Sequence, residues 1–335
     1  MSEFIDNVLN GIDSSVEQSS EFFGGVIRGE VDPIVLAAVL GALKVKKEQA
    51  PEIAGAALAM RASALAFDSP AEPIADSCGT GGDGSNTINI STTTAIVAAA
   101  CGLKMTKHGN RSVSSQSGSA DLLERLGVNL SPSPEQARVC LDKANICFFF
   151  APQYHSGIKH AMPVRKMLKT RTIFNILGPL INPASPQIQL LGVYEPALLV
   201  PMTKALQTLG VTRAMVVHGS GLDEIAIHGS TQVCELNRSK IIEYTLSPAD
   251  FGLSEYALDD IKGGTPEENA EYTNAILGGC GKPAHNEAVA ANVSALLVMA
   301  GLAKDFKEGA KKALDVMSSQ GAVDTIKRFV EYSND

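Results

Sequence analysis

The feature that most restricts the fold of this chain is an alternation of short predicted strands with helical segments, which begins near residue 73. The predicted strands occupy 74–78, 104–107, 146–150, 189–194 and 213–218, and 146–150 is an apolar run typical of a parallel sheet. Segments with helical character lie between them, at 95–101, 120–126, 134–144 and 196–209. Because strands that alternate with helices usually pair in parallel, we predict an α/β fold with a mostly parallel central sheet.

Residues 1–70 carry a different pattern, in which apolar side chains recur at helical spacing. It predicts helices over 22–27, 34–43 and 51–60, with Pro33 in the first turn of the second, and no strand. The segment 173–186 is rich in Gly, Pro and Asn, and it is predicted to be a connection that crosses from one part of the fold to another. Gly127 and Gly210 are predicted to end helices, and the C-terminal third is predicted to mix a strand near 231–236 with helices such as 286–301.

The sequence CGTGGDG at 78–84 follows the first predicted strand. Its glycines match the G-x-G-x-x-G pattern of dinucleotide-binding folds, which place an acidic residue about 20 positions later for the ribose. Residues 86–120 contain no Asp or Glu, but they contain Lys104, Lys107, His108 and Arg111. No Gly-Lys-Ser/Thr triplet completes a Walker loop either. The loop is therefore predicted to hold a polyphosphate through its backbone N–H groups.

Two further segments favour the same anion site. Asn89, Ser91 or Thr92 could cap the next helix, whose N-terminus attracts anions. KHGNRSVSS at 107–115 follows the second predicted strand and combines two fixed cations, a histidine, an amide and three hydroxyls. Ligands bind at the carboxyl ends of strands in open parallel sheets, so these segments are predicted to meet at one edge of the sheet.

Adjacent carboxylates follow the predicted strand at 213–218. Asp223 and Glu224 come shortly after a Gly-Ser-Gly turn. Magnesium takes one or two carboxylates together with substrate phosphates and water. Beside a phosphate site, the pair is predicted to bind magnesium rather than to be ordinary surface charge.

The composition argues against several classes of protein. The 335 residues are 45% hydrophobic and 19% charged, and the formal net charge of −8 disfavours nucleic-acid and acidic-membrane partners. No apolar stretch approaches the roughly 20 residues that span a bilayer. The N-terminal sequence MSEFIDNVLNG lacks a signal pattern, and the six cysteines form no C-x-x-C pair. We therefore predict free thiols and a cytoplasmic location.

Taken together, the motifs resemble those of the anthranilate phosphoribosyltransferase family. The resemblance covers the whole chain and is carried by GTGGD at 79–83, NIST at 89–92, KHGNRSVSS at 107–115, NILGPLINP at 175–183 and DE at 223–224. It implies an enzyme that transfers the phosphoribosyl group of phosphoribosyl pyrophosphate (PRPP) to anthranilate in tryptophan biosynthesis. The products would be N-(5-phosphoribosyl)anthranilate and pyrophosphate, and the cofactor would be Mg²⁺, as a pair of ions per active site.

The resemblance also implies an architecture similar to that of nucleoside phosphorylases. A small all-helical domain would comprise 1–70 and about 163–187, form part of the substrate cleft and mediate a homodimer. A larger α/β domain would comprise 71–162 and about 188–335 and carry the PRPP and magnesium sites. The sequence contains no glutamine amidotransferase segment, so an anthranilate synthase partner is expected to be a separate protein.

By the same resemblance, four sets of site residues are expected. The PRPP site would comprise Gly79, Gly82, Asp83, Thr87, Asn89, Ile90, Ser91, Thr92, Lys107, His108, Gly109, Asn110, Arg111, Ser112, Val113, Ser114, Ser115 and Ser119. The anthranilate site would comprise Gly79, His108, Asn110, Pro152, Tyr154, His155, Met162, Arg165 and Gly178. The metal ligands would be Ser91, Asp223 and Glu224, and the catalytic residues Lys107, Arg165, Asp223 and Glu224.

The chemistry of the acceptor leaves the role of His108 open. An aromatic amine is neutral at pH 7 and needs positioning more than a strong base, so Arg165 is expected to bind the carboxylate of anthranilate and Asn110 to orient it. His108 would act as a base or as a hydrogen-bonding wall residue.

Two other functions compete with the transferase. One is a pyrimidine-nucleoside-phosphorylase-like enzyme, which shares GSADLLE at 118–124, and the other is a non-catalytic nucleic-acid-binding relative on the same fold. The acidic pair at 223–224 argues against the first, and the negative net charge against the second.

Overall fold

The computed structural model describes residues 1–112 and 116–335. Val113, Ser114 and Ser115, which the resemblance assigns to the PRPP site, lie outside the described residues. Within the described ranges, a group of helices precedes a seven-stranded sheet whose faces are covered by further helices. The predicted α/β class with a helical N-terminal part is confirmed.

Four helices form the N-terminal bundle: α1 (Ser2–Leu9), α2 (Val16–Arg28), α3 (Pro33–Lys46) and α4 (Ala50–Ala62). Polar side chains fix two of the starts. The N–H of Gln18 donates to Ser15 Oγ at 3.2 Å, and the N–H of Ile34 donates to Asp32 Oδ1 at 2.8 Å. Such bonds satisfy amide groups that have no partner inside the helix. The three predicted helices are present, and α1 adds a fourth that the spacing of apolar residues did not predict.

Seven strands form one sheet: β1 (Ala75–Gly79), β2 (Met105–Gly109), β3 (Ile146–Phe150), β4 (Ile188–Gly192), β5 (Arg213–Gly219), β6 (Thr231–Asn237) and β7 (Lys240–Leu246). Their order is β3-β2-β1-β4-β5-β6-β7. β1 to β5 run parallel, whereas β6 and β7 are antiparallel to their neighbours. The mostly parallel sheet is thus confirmed, and β1 lies near its middle with its carboxyl end among those of its parallel neighbours.

The remaining helices lie between and after the strands: α5 (Ile90–Ala100), α6 (Ser119–Arg125), α7 (Pro134–Ala144), α8 (Ala151–Tyr154), α9 (Met162–Leu168), α10 (Phe174–Leu177), α11 (Leu199–Thr208), α12 (Pro266–Leu277), α13 (Pro283–Met299), α14 (Phe306–Ser318) and α15 (Gly321–Asn334). Among the described helices, none combines the length and the apolar character that a bilayer crossing requires. Gly127 and Gly210 have φ values of +90° and +84°, which confirms them as helix-ending residues.

Two apolar cores hold the molecule together. One core lies between the sheet and helices that include α5, α7, α13 and α15. The other joins the N-terminal bundle to residues 161–181, to α11 and to one face of β4–β6. The segment 173–186, predicted to cross between parts of the chain and to lie in the helical domain, contributes buried side chains such as Ile173, Phe174 and Leu177 to the second core. The bundle is fixed against the sheet by a shared core rather than by a linker.

Candidate active site

Four parallel strands end in glycine at the same edge of the sheet, and the loop carrying Asp223 and Glu224 lies directly on three of these glycines. Gly79, Gly192 and Gly219 are the last residues of β1, β4 and β5. A Cβ atom at Gly79 would overlap the Asp223 carboxylate, one at Gly192 the Asp223 carbonyl, and one at Gly219 the Glu224 carbonyl. Only glycine permits this approach of one backbone to another. The strand ends therefore set the position of the acidic pair.

The acidic pair is bonded to both phosphate-binding elements predicted from the sequence. The N–H of Gly81, in the glycine loop, donates to Asp223 Oδ2 at 2.6 Å. The N–H of Ser91, in the first turn of α5, donates to Glu224 Oε1 at 3.1 Å. The structure thus brings the glycine loop, the start of α5 and the two carboxylates into one site.

Negative charge is unfavourable at both carboxyl groups unless a cation is present. Burial in the cleft, together with the nearby Asp83 carboxylate, raises the pKa of Asp223 to about 7. Burial, and then the charge of Asp223, raises the pKa of Glu224 well above its ordinary value. Bound divalent cations reverse such shifts because they favour the ionised form. The arrangement therefore suits a cation.

A small cavity lies beside the carboxylates and shows how much room they leave. Its volume is about 10 Å³, and Ser91, Asp223 and Glu224 line it together with Cys78 and Asn292. That is space for about one water-sized sphere. Hard oxygen donors of this kind match the preference of Mg²⁺. Within residues 1–112 and 116–335, no cluster of three or more His, Cys, Asp or Glu side chains has the spacing of a metal site.

The start of α5 is held differently from the prediction. Asn89 is its N-cap residue, but no side chain caps the helix. The Asn89 side chain instead accepts from Asn269 Nδ2 at 2.8 Å and from Ser117 Oγ at 3.1 Å. The prediction of a side-chain cap by Asn89, Ser91 or Thr92 is therefore wrong. Glu224, which is distant in sequence, supplies the anionic oxygen at this helix end, and Thr92 is buried.

The end of β2 carries Lys107 and His108, both only 2% exposed. Lys107 Nζ donates to the carbonyl of His108 at 2.8 Å. Behind them, the fully buried Asp76 accepts from Asn182 Nδ2 at 2.9 Å and from the His108 N–H at 3.4 Å. No described acidic side chain lies within salt-bridge distance of Lys107, so its charge is available to an anionic ligand.

The ring of His108 connects β2 to the segment that carries Gly178. His108 Nδ1 lies 3.0 Å from the Gly178 carbonyl, and a carbonyl requires this nitrogen to be the donor. Nε2 is then the acceptor, and it is buried without a hydrogen-bond partner among the described residues. Burial first, and then the neighbouring His155, holds the pKa of His108 well below its ordinary value. The imidazole is therefore neutral at pH 7.

The described residues on both sides of 113–115 are held together near α6. Asp121 Oδ2 accepts from the N–H groups of Ser112 and Gly118, each at 2.9 Å. Ser119 Oγ donates to the Asn110 carbonyl at 3.2 Å. Arg111, expected at the PRPP site, is paired with Glu124 at 2.8 Å and with Asp121 at 3.1 Å. Its side chain therefore points toward α6 in this structure.

The residues expected around anthranilate fall into two groups. His108 and His155 meet edge to face with 5.3 Å between ring centroids. The Tyr154 ring packs on Phe149 with 4.9 Å between centroids. Arg165 lies over the Phe174 ring at 5.3 Å, and its Nη1 lies 3.8 Å from Met162 Sδ. Pro152 is exposed at the start of α8. Gly178 joins the first group through His108.

Arg165 has no acidic partner among the described residues. It is partly buried, and that burial lowers the pKa of its guanidinium. A partly buried guanidinium without a carboxylate is a suitable receptor for one from a ligand.

Three residues of the site were not identified from the sequence. Asn292, buried on α13, accepts from the Ile225 N–H at 3.1 Å and donates to its carbonyl at 3.2 Å, so it holds the acidic loop. Asp76 supports the end of β2. Arg171 donates from Nη2 to the carbonyl of Gly82. In the sequence, Asn292 and Asp76 stand out only as polar residues within mainly apolar segments. Nothing in the sequence around Arg171 indicates its contact with the glycine loop.

Comparison with known families supports the same division into helical and α/β parts. Residues 2–64 match the model for the helical bundle domain of a glycosyl transferase family. Residues 71–323 match the model for the a/b domain of the same family.

The following proteins and structures, which are similar to this chain, are all anthranilate phosphoribosyltransferases. The chain is 57% identical over 334 residues to anthranilate phosphoribosyltransferase of Aeromonas salmonicida, covering 100% of this chain and 99% of that protein. The crystal structure of anthranilate phosphoribosyltransferase from Thermus thermophilus superposes with a TM-score of 0.94 at 40% identity, covering 99% of both chains.

The Saccharomyces cerevisiae enzyme of that name has been solved with ligands. Its complex with PRPP and Mg has a TM-score of 0.88 at 29% identity, covering 99% of this chain and 97% of that one. Its complex with 4-fluoroanthranilate has a TM-score of 0.88 at 28% identity with the same coverage.

Proposed function

Because the chain belongs to the anthranilate phosphoribosyltransferase family, we infer that it transfers the 5-phosphoribosyl group of PRPP to anthranilate. The products are N-(5-phosphoribosyl)anthranilate and pyrophosphate, and the reaction is a step of tryptophan biosynthesis. The observation that carries this inference is the acidic pair Asp223–Glu224, bonded at once to the glycine loop and to the start of α5. A pyrophosphate binds to backbone N–H groups at a helix N-terminus, and a magnesium ion binds to carboxylates. This site has both kinds of group at one place.

We propose that PRPP lies across the glycine loop, the start of α5 and the end of β2. Lys107, at the end of β2, is a cation with no acidic partner among the described residues, and the backbone N–H groups of the loop are proposed as further donors. The residues proposed to contact PRPP are the ones expected from the resemblance: Gly79, Gly82, Asp83, Thr87, Asn89–Thr92, Lys107–Ser112 and Ser119. Arg111 would have to leave Glu124 to reach the phosphates.

Asp223, Glu224 and the hydroxyl of Ser91 are the proposed magnesium ligands. The bound metal would neutralise charge on the leaving pyrophosphate. We propose a pair of ions per site, since the Asp83 carboxylate lies close enough to raise the pKa of Asp223 and would give a second ion a negative neighbour.

Anthranilate is proposed to bind between the β2 end and the wall formed by 152–178. Arg165, which has no acidic partner among the described residues, would bind its carboxylate, and Asn110 would orient it. His108, neutral at pH 7, presents Nε2 as a hydrogen-bond acceptor suited to an amine N–H. The remaining proposed contacts are Gly79, Pro152, Tyr154, His155, Met162 and Gly178.

These residues account for the chemistry without a strong base. As the bond between C1′ and pyrophosphate breaks, negative charge builds on the leaving group, which Lys107 and the loop N–H groups would stabilise. Without PRPP, Lys107 donates to the His108 carbonyl and the Gly81 N–H donates to Asp223, so these donors would exchange partners when PRPP binds. Once PRPP is bound, they would act as preorganised donors during the reaction. The amine attacks in its neutral form, and its proton leaves afterwards toward solvent or toward His108. Holding both substrates in line supplies the rest of the rate enhancement.

A homodimer through the helical bundle is also proposed. Ile34 and Val45 of α3 and Met167 of α9 are 79%, 84% and 83% exposed. On the opposite face of α3, Leu36, Leu40 and Leu43 are buried. α3 is thus apolar on both faces, and a helix that is apolar all round is normally covered on every side.

The domain division is proposed as predicted, with 1–70 and about 163–187 forming the helical domain. The two separate cores support it, although the second core also extends onto β4–β6 and α11.

We further propose a cytoplasmic location, where the six free cysteines would remain thiols. An anthranilate synthase partner is proposed to be a separate chain.

The fluorescence of anthranilate provides the direct test of the reaction. Purified protein is mixed with anthranilate, PRPP and Mg²⁺, and the signal is followed with and without a chelator. Loss of signal that requires PRPP and is abolished by the chelator is the expected result. An unchanged signal from folded protein would contradict the inference, and nucleosides with phosphate would then be tried as substrates.

A further inference from the structure

Arg171 joins three parts of the molecule that are distant in sequence. It follows α9, and its Nη2 donates to the carbonyl of Gly82 in the glycine loop. Its guanidinium also lies 4.2 Å from the centroid of the Tyr194 ring, just beyond β4. No described acidic side chain lies within salt-bridge distance of it. Its contacts are therefore a backbone carbonyl and an aromatic face, which suit the planar guanidinium of Arg better than the ammonium of Lys.

The glycine loop is firmly held at both ends. At its start, the Thr80 N–H donates to the Gly192 carbonyl at 2.9 Å, and the Gly81 N–H donates to Asp223. At its end, the Gly263 N–H donates to the Asn86 carbonyl at 2.8 Å, and the Ile88 N–H donates to the Ile261 carbonyl at 3.0 Å.

The middle of the loop is intrinsically the least restricted part. Gly82 and Gly84 have positive φ values of 79° and 78°. Glycine has the largest conformational freedom of any residue, so ordering such a segment opposes ligand binding. The Arg171 bond to Gly82 lies in the middle of this segment.

The segment that carries Arg171 is itself anchored to the bundle. Lys44 Nζ of α3 donates to Thr170 Oγ1, and the Thr172 N–H donates to Asn175 Oδ1 at 3.0 Å. Tyr194 is fixed in turn, since its N–H donates to Thr80 Oγ1 at 3.2 Å. Arg171 thus connects the helical bundle, the glycine loop and the end of β4.

We propose that Arg171 is a positioning residue that holds the glycine loop ready for PRPP. It acts through the Gly82 carbonyl, with the Tyr194 ring keeping its guanidinium in place. The proposal rests on the assignment of the loop to PRPP. It makes the helical bundle a determinant of PRPP affinity, although the phosphate-binding groups lie on the α/β part.

Steady-state kinetics with each substrate varied provides the first test. Loss of one charge-assisted hydrogen bond and one cation–π contact predicts that Arg171→Ala raises the KM for PRPP roughly tenfold. The KM for anthranilate and kcat are expected to change much less.

Arg171→Lys should recover only part of the loss, because the ammonium lacks the planar fork. Tyr194→Leu should raise the PRPP KM in the same direction, and Tyr194→Phe, which keeps the ring, should lie closer to the parent. Arg28→Ala, which removes an exposed bundle arginine paired with Glu30, is the matched control.

Hydrogen exchange in the absence of substrates separates this proposal from the assignment of the reaction. Arg171→Ala should speed amide exchange in 81–86, whereas Arg28→Ala should not. An unchanged exchange rate in that segment would overturn the proposal even if KM rose, because Arg171 would then affect PRPP binding without holding the loop. An increase confined to kcat or to the anthranilate KM would also overturn it.

Discussion

Asp223 is positioned by neighbours that are distant in sequence. Gly79 and Gly192 pack against its side chain and its carbonyl, Gly81 donates to its carboxylate, and Asn292 holds the acidic loop. Asn292 lies 67 residues beyond Ile225, yet two hydrogen bonds connect them. The geometry of the metal site is therefore a property of several elements.

Asp223→Asn should lower kcat by roughly 10²–10³, the usual loss on removing one preorganised electrostatic group. The amide keeps the size of the side chain but not the charge that a cation requires. The measurement is turnover at saturating PRPP and Mg²⁺, with the exposed Asp259→Asn as control. Turnover near that of the parent would remove Asp223 from the mechanism.

Arg165→Ala should chiefly raise the KM for anthranilate, by roughly 10- to 100-fold, as expected for loss of a charge-assisted pair with a carboxylate. The neighbouring exposed Lys166→Ala is the control for a general change in charge. Initial rates with either substrate varied distinguish the two KM values. A rise confined to PRPP would contradict the assignment.

His155 should make the folded state sensitive to acid. Burial lowers the pKa of its imidazole to about 4, whereas the unfolded chain titrates near 6.5. The unfolded chain therefore binds more protons in this range, so the stability is full above about pH 6.5 and falls as the pH drops toward 4. Between pH 7.5 and 5 the loss is about 2 kcal/mol.

Urea unfolding at pH 7.5 and 5 tests this dependence. In His155→Asn the difference in unfolding free energy between the two pH values should shrink by about 2 kcal/mol. The exposed His160→Asn should leave that difference as in the parent. An equal pH dependence in all three proteins would mean that His155 does not control it.

At the scale of elements, the strand ends decide where the site forms. Gly192→Ala places a methyl group where the carbonyl of Asp223 lies, so the acidic loop must move. Activity should fall by roughly 10²-fold or more, with a raised Mg²⁺ requirement. Gly24→Ala on α2 meets only the flexible end of Arg28 and is the matched control. Full activity with unchanged metal dependence in Gly192→Ala would contradict this account.

The elements differ in how well the sequence predicts them. β3, β4 and β5 could be predicted because burial on both faces makes their sequences largely apolar. β1 and β2 contain fewer apolar residues, since the structure buries Asp76 and Lys107 within them. β7 lies at the edge, where most of its residues are exposed or half-buried, and its sequence does not show a largely apolar run. The glycine loop, the acidic pair and the end of β2 were recognisable as motifs. Arg171 and the carboxylate cap of α5 were not, because they depend on contacts between segments remote in sequence.

At the scale of the whole molecule, the second core fixes the bundle against the sheet and leaves the outer face of α3 uncovered. Val45→Asp should convert the proposed dimer to a monomer, since a buried unpaired carboxylate is strongly unfavourable in an interface. Light scattering coupled to gel filtration measures the mass. Ile242→Asp, a substitution of an exposed apolar residue on β7, should leave the mass unchanged. A parent protein that is already monomeric would show that the dimer proposal is wrong.

The glycines at the strand ends also have a consequence for how this enzyme can evolve. Gly79, Gly192 and Gly219 touch the same short loop, so a larger residue at any one of them displaces groups that the other two still hold in place. No neighbouring residue can move to make room for a single substitution at these positions. We therefore expect the part of the site that binds the phosphoribosyl donor to stay unchanged as lineages diverge. Side chains of the wall at 152–178 have no such constraint from backbone packing at a strand end. New acceptor preferences should therefore arise, in nature or in directed evolution, by substitutions in that wall.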